Sequence, residues 1–206
     1  MKVVLLGDSI REQYGPKVKE LLGDSFDVWY PDENCRFSQY MLRMLFDYAG
    51  MIADADIVHL NCGHWDLCDL WGDGTFTPID VYVGQMMRIL DVLQKQGKTV
   101  IFATTTPVRD ENPFNRNTDI QRFNAVVVEQ FKARGVRIND LNALLDADIY
   151  RYISEDNIHL SPEGIELCAA QVAQIIRDIF PYLSDKQAEM RTENDAPVVD
   201  GAPILI

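Results

Sequence analysis

The sequence predicts an α/β protein in which a parallel β-sheet is covered by helices on both faces. One observation and one general rule lead to this fold class. Short apolar runs alternate along the chain with longer stretches of helical periodicity, and strands that alternate with helices form parallel sheets. The length of 206 residues is enough for one sizeable core, so we expect one main domain.

Five apolar runs are predicted to be the strands of this sheet. Each is short, as expected of a buried strand rather than a helix. They are KVVLL (2–6), FDVWY (26–30), ADIVHL (55–60), TVIFATT (99–105) and VRIND (136–140). Open parallel sheets bind their ligands beyond the carboxyl ends of the strands. We therefore expect functional residues directly after these runs.

Five helices are predicted between and after the strands, at 12–22, 38–48, 79–96, 119–134 and 162–180. In the third helix, apolar residues recur at spacings of three and four from Val83 to Leu93, which places them on one face. Gly97 and Gly135 stand where C-terminal caps belong. The SPE stretch at 161–163 combines an N-cap serine, a first-turn proline and an acidic first turn.

The last 23 positions differ in composition from the rest of the chain. Residues 184–206 begin polar and end in an apolar stretch punctuated by proline and glycine. We therefore divide the chain into a main domain, 1–183, and an extended C-terminal arm, 184–206. The arm packs either on its own domain or on a neighbouring copy, so a homo-oligomer is one of two alternatives.

Charge and hydropathy exclude several classes of partner. The net charge of −13 argues against a nucleic-acid partner and disfavours anionic membranes. No apolar stretch reaches the roughly 18 residues that a membrane span needs. Lys2 is followed by only four apolar residues, too few for the core of a secretory signal. These observations predict a cytoplasmic protein without a membrane partner.

The four cysteines are predicted to be reduced thiols. Cys35, Cys62, Cys68 and Cys168 show no CxxC spacing, and a cytoplasmic location favours free thiols.

The first strand ends in an acidic residue and a hydroxyl, Asp8 and Ser9, which follow Gly7. A serine at a strand-to-helix turn commonly serves only as an N-cap. As a nucleophile, the hydroxyl needs a base within hydrogen-bond reach. Asp8 is expected to tie down the turn rather than to transfer protons.

Three histidines are candidates for that base. His59 lies inside the third strand and is expected in the core. His64 lies on the loop after it, and together with Asp66 these histidines match no established metal-site spacing, so no metal is expected. His159 follows Asp156 by three residues. An acid on the same turn can accept the Nδ1–H of a histidine and leave Nε2 free as a base. The alternative is a polar loop before a helix.

Taken together, these stretches resemble the SGNH/GDSL hydrolase family. VVLLGDSI (3–10) and DNIHLSPEG (156–164) are similar to its first and last signature blocks. TTTPV (104–108) and INDLNALL (138–145) resemble further segments. The resemblance implies a three-layer, flavodoxin-like α/β/α sandwich with a five-stranded parallel sheet. It also implies a triad of Ser9, His159 and Asp156 that needs no metal or organic cofactor.

The second block of the family departs from the pattern in this chain. The family has a glycine whose backbone N–H helps to bind the oxyanion, together with the N–H of the nucleophile, here Ser9. The corresponding loop is PDENCRFSQY (31–40), in which we align Cys35 with that glycine. A register shifted by one would make Arg36 the donor.

The third block departs as well. The family motif Gly-x-Asn-Asp reads GHWD here, with Trp65 in place of the asparagine, whose side chain is another donor. Asn61, at the end of the third strand, is the predicted substitute, and the Trp65 indole or His64 are the alternatives. One oxyanion donor is typically worth about 10²–10³ in rate, so an enzyme without a substitute would be slow.

Several residues are candidates for substrate binding. Trp65, together with Trp71 and Phe76, belongs either to the core or to an apolar, sugar-stacking wall. Arg36, followed by Ser38, resembles a segment of some carbohydrate esterases. His64 lies near the expected site, and Arg109 either reaches an anionic or hydroxylated substrate or is a solvated loop charge.

The resemblance implies an esterase that acts on a short acyl group, with an acetyl ester on a carbohydrate as the preferred substrate. Thioesters and lysophospholipids are alternative substrates. A second class of function is a binding protein that keeps the triad but has lost a working oxyanion hole. A nucleotide or flavin binder is disfavoured because neither GxxxxGK nor GxGxxG is present.

Overall fold

A parallel sheet of five strands forms the centre of the structure. The structure is a computed structural model, and it describes residues 1–194, with side chains to residue 183. The strands are β1 (Lys2–Leu6), β2 (Asp27–Trp29), β3 (Ile57–Asn61), β4 (Thr99–Ala103) and β5 (Arg137–Asn139). They are ordered β2-β1-β3-β4-β5, and every neighbouring pair is parallel. All five predicted strands are therefore confirmed.

Five long helices occupy the predicted positions. They are α1 (Ser9–Leu22), α2 (Ser38–Asp47), α5 (Ile79–Lys95), α6 (Asn117–Ala133) and α9 (Pro162–Asn194). Four short helices and a 3₁₀ turn were not predicted, because each is too short to show a periodic apolar face. They are α3 (Ala49–Ala53), α4 (His64–Leu67), α7 (Leu141–Asp146), α8 (Ile149–Tyr152) and the 3₁₀ turn Gly23–Ser25.

The sheet separates two apolar cores, which makes the fold a three-layer α/β/α sandwich. Successive side chains of a strand point to opposite faces. In β1, Val4 and Leu6 face the core shared with α2, α5 and α6, and Val3 and Leu5 face the core shared with α1, α7 and α9. Because both faces are buried, the strands read as continuous apolar runs rather than as alternating ones.

The helix ends follow the predicted capping residues. Ser161 Oγ accepts a hydrogen bond of 3.1 Å from the Gly164 N–H in the first turn of α9. Gly97 and Gly135 end α5 and α6 with φ of 72° and 74°, in the left-handed region that favours glycine. Helix α1 begins earlier than predicted because Asp8 caps it, accepting a bond of 3.1 Å from the Ile10 N–H.

The last helix runs past the predicted domain boundary at residue 183. Helix α9 continues to Asn194, and the rest of the predicted arm, 195–206, lies outside the described residues. The boundary and the packing of the arm therefore stay predictions. Among the helices of the described part of the chain, none combines the length and the apolar character that a membrane span requires.

Candidate active site

The carboxyl ends of the central strands meet at a cavity of about 250 Å³. This is the edge at which an open parallel sheet binds its ligands. Residues from the turn after β1 and from four later loops surround it. Its lining residues are Ser9, Asn34, His64, Trp65, Cys68, Phe114, Asn115, Ile158 and His159.

Ser9 and His159 meet at this cavity although they lie 150 positions apart in the chain. Ser9 is the first residue of α1, which begins only three residues after the last residue of β1. His159 Nε2 lies 2.9 Å from Ser9 Oγ, and His159 Nδ1 lies 2.6 Å from Asp156 Oδ2. An ionised carboxylate only accepts hydrogen bonds, so Nδ1 carries the proton and Nε2 is left to accept the serine hydroxyl.

Asp156 is held by a tight turn that supplies several donors to its carboxylate. Its Oδ1 accepts from the Ser154 hydroxyl at 2.7 Å and from the backbone N–H groups of His159 and Ile158 at 2.9 and 3.1 Å. Burial opposes its charge, but these hydrogen bonds outweigh burial and hold the pKa of Asp156 below its usual value. The carboxylate is therefore ionised at neutral pH.

The backbone around His159 is fixed from two sides. Ile153 and Leu160 form an antiparallel bridge, and the Ser154 N–H donates to the His159 carbonyl at 2.7 Å. On the other side, Gln13 lies one turn after Ser9 on α1, and its Oε1 accepts from the Leu160 N–H at 2.9 Å. The helix that carries the serine thus also holds the segment that carries the histidine.

Asn61 supports the turn beneath the serine. Its Nδ2 donates to Asp8 Oδ1 at 2.7 Å, and its Oδ1 accepts from the Tyr14 hydroxyl at 3.0 Å. A Cβ on Gly7 would come within 2.1 Å of Asn61 Oδ1, which shows how closely this amide packs against the turn. Asn61 was the predicted replacement donor, but one N–H of its amide donates to Asp8, and Asn61 is not among the residues that line the cavity.

Asp8 was predicted to tie down the turn; in the structure it is buried and is the N-cap of α1. Burial raises the pKa of its carboxyl to about 6, although the bonds from Asn61 and the Ile10 N–H favour the charged form. Its Oδ2 has no hydrogen-bond partner within the described residues. This places Asp8 in a supporting role below the turn.

Cys35 requires a second correction. Its backbone N–H donates to the Gly7 carbonyl at 3.0 Å, so it does not point as a free donor toward Ser9. Its thiol in turn accepts from the Gly7 N–H at 3.2 Å. These two bonds tie the loop after β2 to the turn after β1. The buried Arg11 strengthens the same junction by donating to the carbonyls of Pro31 and Glu33.

Arg36 occupies the backbone position that favours glycine. Its φ is 51°, in the left-handed region where a side chain is unfavourable. Its N–H donates to the side-chain Oδ1 of Asn34 at 2.7 Å, and Asn34 lines the cavity with Ser9. The one-residue shift of the second block, with Arg36 at the glycine, is the register that fits this backbone. The Arg36 guanidinium lies over the Tyr40 ring, 4.9 Å from its centre, and does not line the cavity.

His64 and Trp65 both line the cavity, as predicted. His64 Nε2 lies 2.8 Å from Thr106 Oγ1, and its Nδ1 has no partner within the described residues. Burial, assisted by repulsion from His159, lowers the pKa of His64 to about 3. Its imidazole is therefore neutral at physiological pH. Trp65 is 44% exposed, so its ring forms an open wall rather than part of the core.

Two other predicted substrate contacts lie outside the cavity lining. Trp71 is 73% exposed and packs near Phe76, with 6.3 Å between ring centres. Arg109 was predicted as a substrate contact or a solvated charge; it does not line the cavity that contains Ser9. Its Nε donates to the Ile153 carbonyl at 2.9 Å and its Nη2 to the Tyr150 carbonyl at 3.0 Å. It supports the chain leading to the Asp156 turn.

His59, the remaining histidine, and the side chains that were considered as metal ligands are hydrogen-bonded to other protein groups. His59 is fully buried in β3, as expected, with Nε2 3.1 Å from Asn139 Nδ2. Asp66 accepts from the backbone N–H and hydroxyl of Ser38 at 2.8 and 2.7 Å. Within the described residues, no group of three or more His, Cys, Asp or Glu side chains is placed to hold a metal ion. The four cysteines are free thiols.

Five residues that line the cavity were not predicted as site residues: Asn34, Cys68, Phe114, Asn115 and Ile158. Phe114 and Asn115 lie on the long loop after β4, and Asn34 lies on the loop after β2. The rule that ligands bind beyond the carboxyl ends of strands indicates these loops. It does not indicate which of their residues turn inward, because that depends on hydrogen bonds such as the one from Asn115 Nδ2 to the His64 carbonyl.

Comparison with solved structures finds similar folds among ester hydrolases. An acetyl xylan esterase, AlAXEase, has a TM-score of 0.73 at 20% identity over 85% of this chain and 100% of that chain. A lipase/acylhydrolase from Enterococcus faecalis has a TM-score of 0.74 at 19% identity over 86% of this chain and 95% of that chain. A GDSL-like lipase from Bacteroides thetaiotaomicron VPI-5482 has a TM-score of 0.64 at 19% identity over 86% of this chain and 88% of that chain.

No protein-family model matches the sequence, and no curated protein matches it. The likeness to solved structures is thus one of fold at low sequence identity. The chain has the three-layer α/β/α fold of the GDSL-type lipases, acylhydrolases and acetyl xylan esterases.

Proposed function

We propose that the chain is a serine esterase of the SGNH/GDSL hydrolase family. The observation that carries the proposal is the line of contacts from Ser9 Oγ through His159 to Asp156, with distances of 2.9 and 2.6 Å. A nucleophile, a base within reach and an acid that orients the base are the arrangement that acyl transfer needs. The fold of the neighbouring esterases supports the same reaction class.

The proposed reaction proceeds through an acyl-enzyme. Ser9 Oγ attacks the ester carbonyl while His159 Nε2 takes the hydroxyl proton, and His159 then gives this proton to the leaving alcohol. Asp156 keeps the imidazole in the tautomer that can accept the proton and stabilises the imidazolium. Water, activated by His159, attacks the acyl-enzyme and releases the acid and Ser9.

Two backbone donors are proposed for the oxyanion. The Ser9 N–H lies in the first turn of α1, where helical N–H groups have no partner within the helix and the helix dipole favours negative charge. The Arg36 N–H, at the position that fits the family glycine, is the second, and it has to be released from Asn34 Oδ1, to which it donates in this structure. The Cys35 N–H and one N–H of the Asn61 amide are engaged elsewhere. His64 and the Trp65 indole, which line the cavity, are the candidates for a third contact.

An acetyl or other short acyl ester, carried on a carbohydrate, is the proposed substrate. Two of the similar structures are acetyl xylan esterases, and the open rings of Trp65 and Phe114 offer flat apolar surfaces beside Ser9. Thioesters and lysophospholipids are alternative substrates of the same site. The cytoplasmic location stays a prediction of the sequence.

The direct test is the turnover of short-chain aryl esters by Ser9→Ala and His159→Ala. Each variant should lose about 10⁴-fold or more in kcat, because the members of a triad act as a unit. Ser25→Ala, which alters an exposed serine of the 3₁₀ turn, is the matched control and should keep the wild-type rate. Wild-type turnover in either triad variant would overturn the assignment.

A binding protein on the same fold is the second candidate. The observation that favours it is the engagement of two predicted oxyanion donors, Cys35 N–H and the Asn61 amide, with other groups. Short-chain aryl esters separate the two functions. Hydrolysis that depends on Ser9 supports the esterase, and a folded protein without such hydrolysis supports the binding role.

A further inference from the structure

We infer that the side chain of Asn34 occupies the oxyanion position in the substrate-free protein and must leave it before an ester can react. The inference rests on the proposed esterase function and concerns what controls access to its oxyanion donors. In this account, Asn34 is a built-in competitor of the substrate carbonyl.

The position of Asn34 is set by two hydrogen bonds. Its Oδ1 accepts from the Arg36 N–H at 2.7 Å, and its Nδ2 donates to Glu12 Oε2 at 2.9 Å. Glu12 lies on α1, three residues after Ser9. The Asn34 amide is therefore held against the helix that carries the nucleophile.

The Asn34 oxygen is chemically similar to the group that the site is proposed to bind. It is the carbonyl oxygen of an amide that accepts from the Arg36 N–H, and Asn34 itself lines the cavity that Ser9 and His159 share. An ester carbonyl oxygen would need the same N–H as it becomes an oxyanion. The two oxygens cannot share a single well-aligned donor.

The loop around Arg36 explains why Asn34 and the substrate carbonyl compete for the Arg36 N–H and not for another donor. The preceding N–H, of Cys35, is bonded to the Gly7 carbonyl at 3.0 Å and anchors the loop to the nucleophile turn. The left-handed backbone at Arg36 follows directly, with φ of 51°. The next backbone donor beyond the anchor is thus the one that Asn34 covers.

A purely structural role for Asn34 makes the opposite prediction. The bond from the Arg36 N–H to Asn34 Oδ1 also closes a local turn of the kind that asparagine favours. If that turn only shaped the loop, its loss would lower activity. If the amide competes with substrate, its loss would raise activity.

The test measures kcat/KM for a short-chain aryl ester and the inhibition constant of phenylboronic acid. In the boronate adduct, boron bonds to Ser9 Oγ, the hydroxyl proton passes to His159, and a boron-bound oxygen takes the oxyanion position. Asn34→Ala should raise kcat/KM and tighten the boronate about two- to twelvefold, the equivalent of one hydrogen bond of about 0.5–1.5 kcal/mol. Asn34→Asp should weaken both, because a carboxylate accepts more strongly than an amide.

A double variant separates competition from loss of the turn. Glycine at position 36 favours the positive φ without help from Asn34, so Asn34→Ala combined with Arg36→Gly is compared with Arg36→Gly alone. The inference holds if Asn34→Ala raises kcat/KM and boronate affinity in either background. It is overturned if both decrease or stay the same in both backgrounds. Absence of Ser9-dependent turnover in the wild type would instead contradict the esterase function itself.

Discussion

The carboxylate of Asp156 accepts more hydrogen bonds than the other side chains of the candidate triad. Four donors reach its two oxygens, from His159 Nδ1, the Ser154 hydroxyl and two backbone N–H groups. Its side chain is nevertheless half exposed. A network of bonds within one turn, rather than burial, therefore keeps this acid ionised and aimed at the imidazole.

Asp156→Asn should lower kcat by about 10³–10⁴-fold with little change in stability. An amide in this place can present N–H to His159 Nδ1, which favours the wrong tautomer. Steady-state kinetics with an aryl ester measure the loss, and Asp146→Asn, an exposed acid at the end of α7, is the control. A loss smaller than tenfold would show that Asp156 does not orient the base.

The contacts among Ser9, His159 and Asp156 could be predicted from the sequence, whereas the hydrogen bonds of the candidate oxyanion donors could not. Ser9 and His159 lie in stretches that resemble known signature blocks. The three-residue spacing of Asp156 and His159 places these two side chains on one turn. Whether an N–H is free depends on which distant group it meets. Asn61 meets Asp8, 53 positions away, and the Cys35 N–H meets the Gly7 carbonyl. No local pattern records either bond.

At the scale of elements, the junction between α8 and α9 positions the histidine. The Ser161 N–H donates to the Tyr152 carbonyl at 2.8 Å, which closes the segment that contains Asp156 and His159. Gly164, in the first turn of α9, lies against the same carbonyl. A Cβ at this position would come within 2.2 Å of the Tyr152 oxygen, so the junction requires a residue without a side chain.

Gly164→Ala should lower the free energy of unfolding by about 1–3 kcal/mol, as overpacking typically does. It should also lower kcat, because the backbone that must yield is the one that holds His159. Gly84→Ala is the matched control, since Gly84 lies in α5 with no atom near its added Cβ. That change should raise the stability by up to about 1 kcal/mol. Denaturant unfolding and steady-state kinetics measure both effects, and equal stability changes in the two variants would contradict the account.

Elements with a strong periodic or apolar signal were predictable, and short ones were not. The five strands and five long helices could be placed because each carries a run or a face long enough to identify. The start of α1 was predicted three residues late, since its first turn is defined by the Asp8 cap rather than by apolar spacing. Helices such as α4 and α8, with four residues each, depend on tertiary contacts for their formation.

At the scale of the whole molecule, two buried histidines make folding sensitive to acid. Burial lowers the pKa of His59 and of His64 to about 3, from about 6.5 in an unfolded chain. Between these values the unfolded state binds protons that the folded state does not. The contribution of these two histidines to the free energy of unfolding is therefore fully present above pH 6.5, and it is lost as the pH decreases toward 3. Asp8 acts in the opposite direction below pH 6, because its raised pKa makes the folded state hold a proton that the unfolded state releases.

His59→Gln should therefore flatten the pH dependence of stability. Removing one such histidine should reduce the slope between pH 4 and 6 by about 1.4 kcal/mol per pH unit, the value for one proton. Urea unfolding at several pH values measures this slope, with wild type as the reference. An unchanged slope would show that His59 does not take up a proton on unfolding.

The fold class could be predicted from the alternation of strands and helices, and the sheet order could not. Composition and periodicity predict five parallel strands but place no constraint on which strands are neighbours. The order β2-β1-β3-β4-β5 puts β1 and β3 side by side at the centre, which brings the Ser9 turn next to the His64 loop. The family resemblance implied a flavodoxin-like sandwich with five parallel strands, and the structure adds the order of those strands.

The central claim is that Ser9 is an activated nucleophile, and covalent labelling tests it most directly. The folded protein is treated with a fluorophosphonate, digested and mapped by mass spectrometry. We expect one adduct, on Ser9, that forms with the wild type and is lost in His159→Ala, because the imidazole must take the serine proton. Persistent absence of an adduct on folded wild-type protein, or an adduct on a different residue, would contradict it.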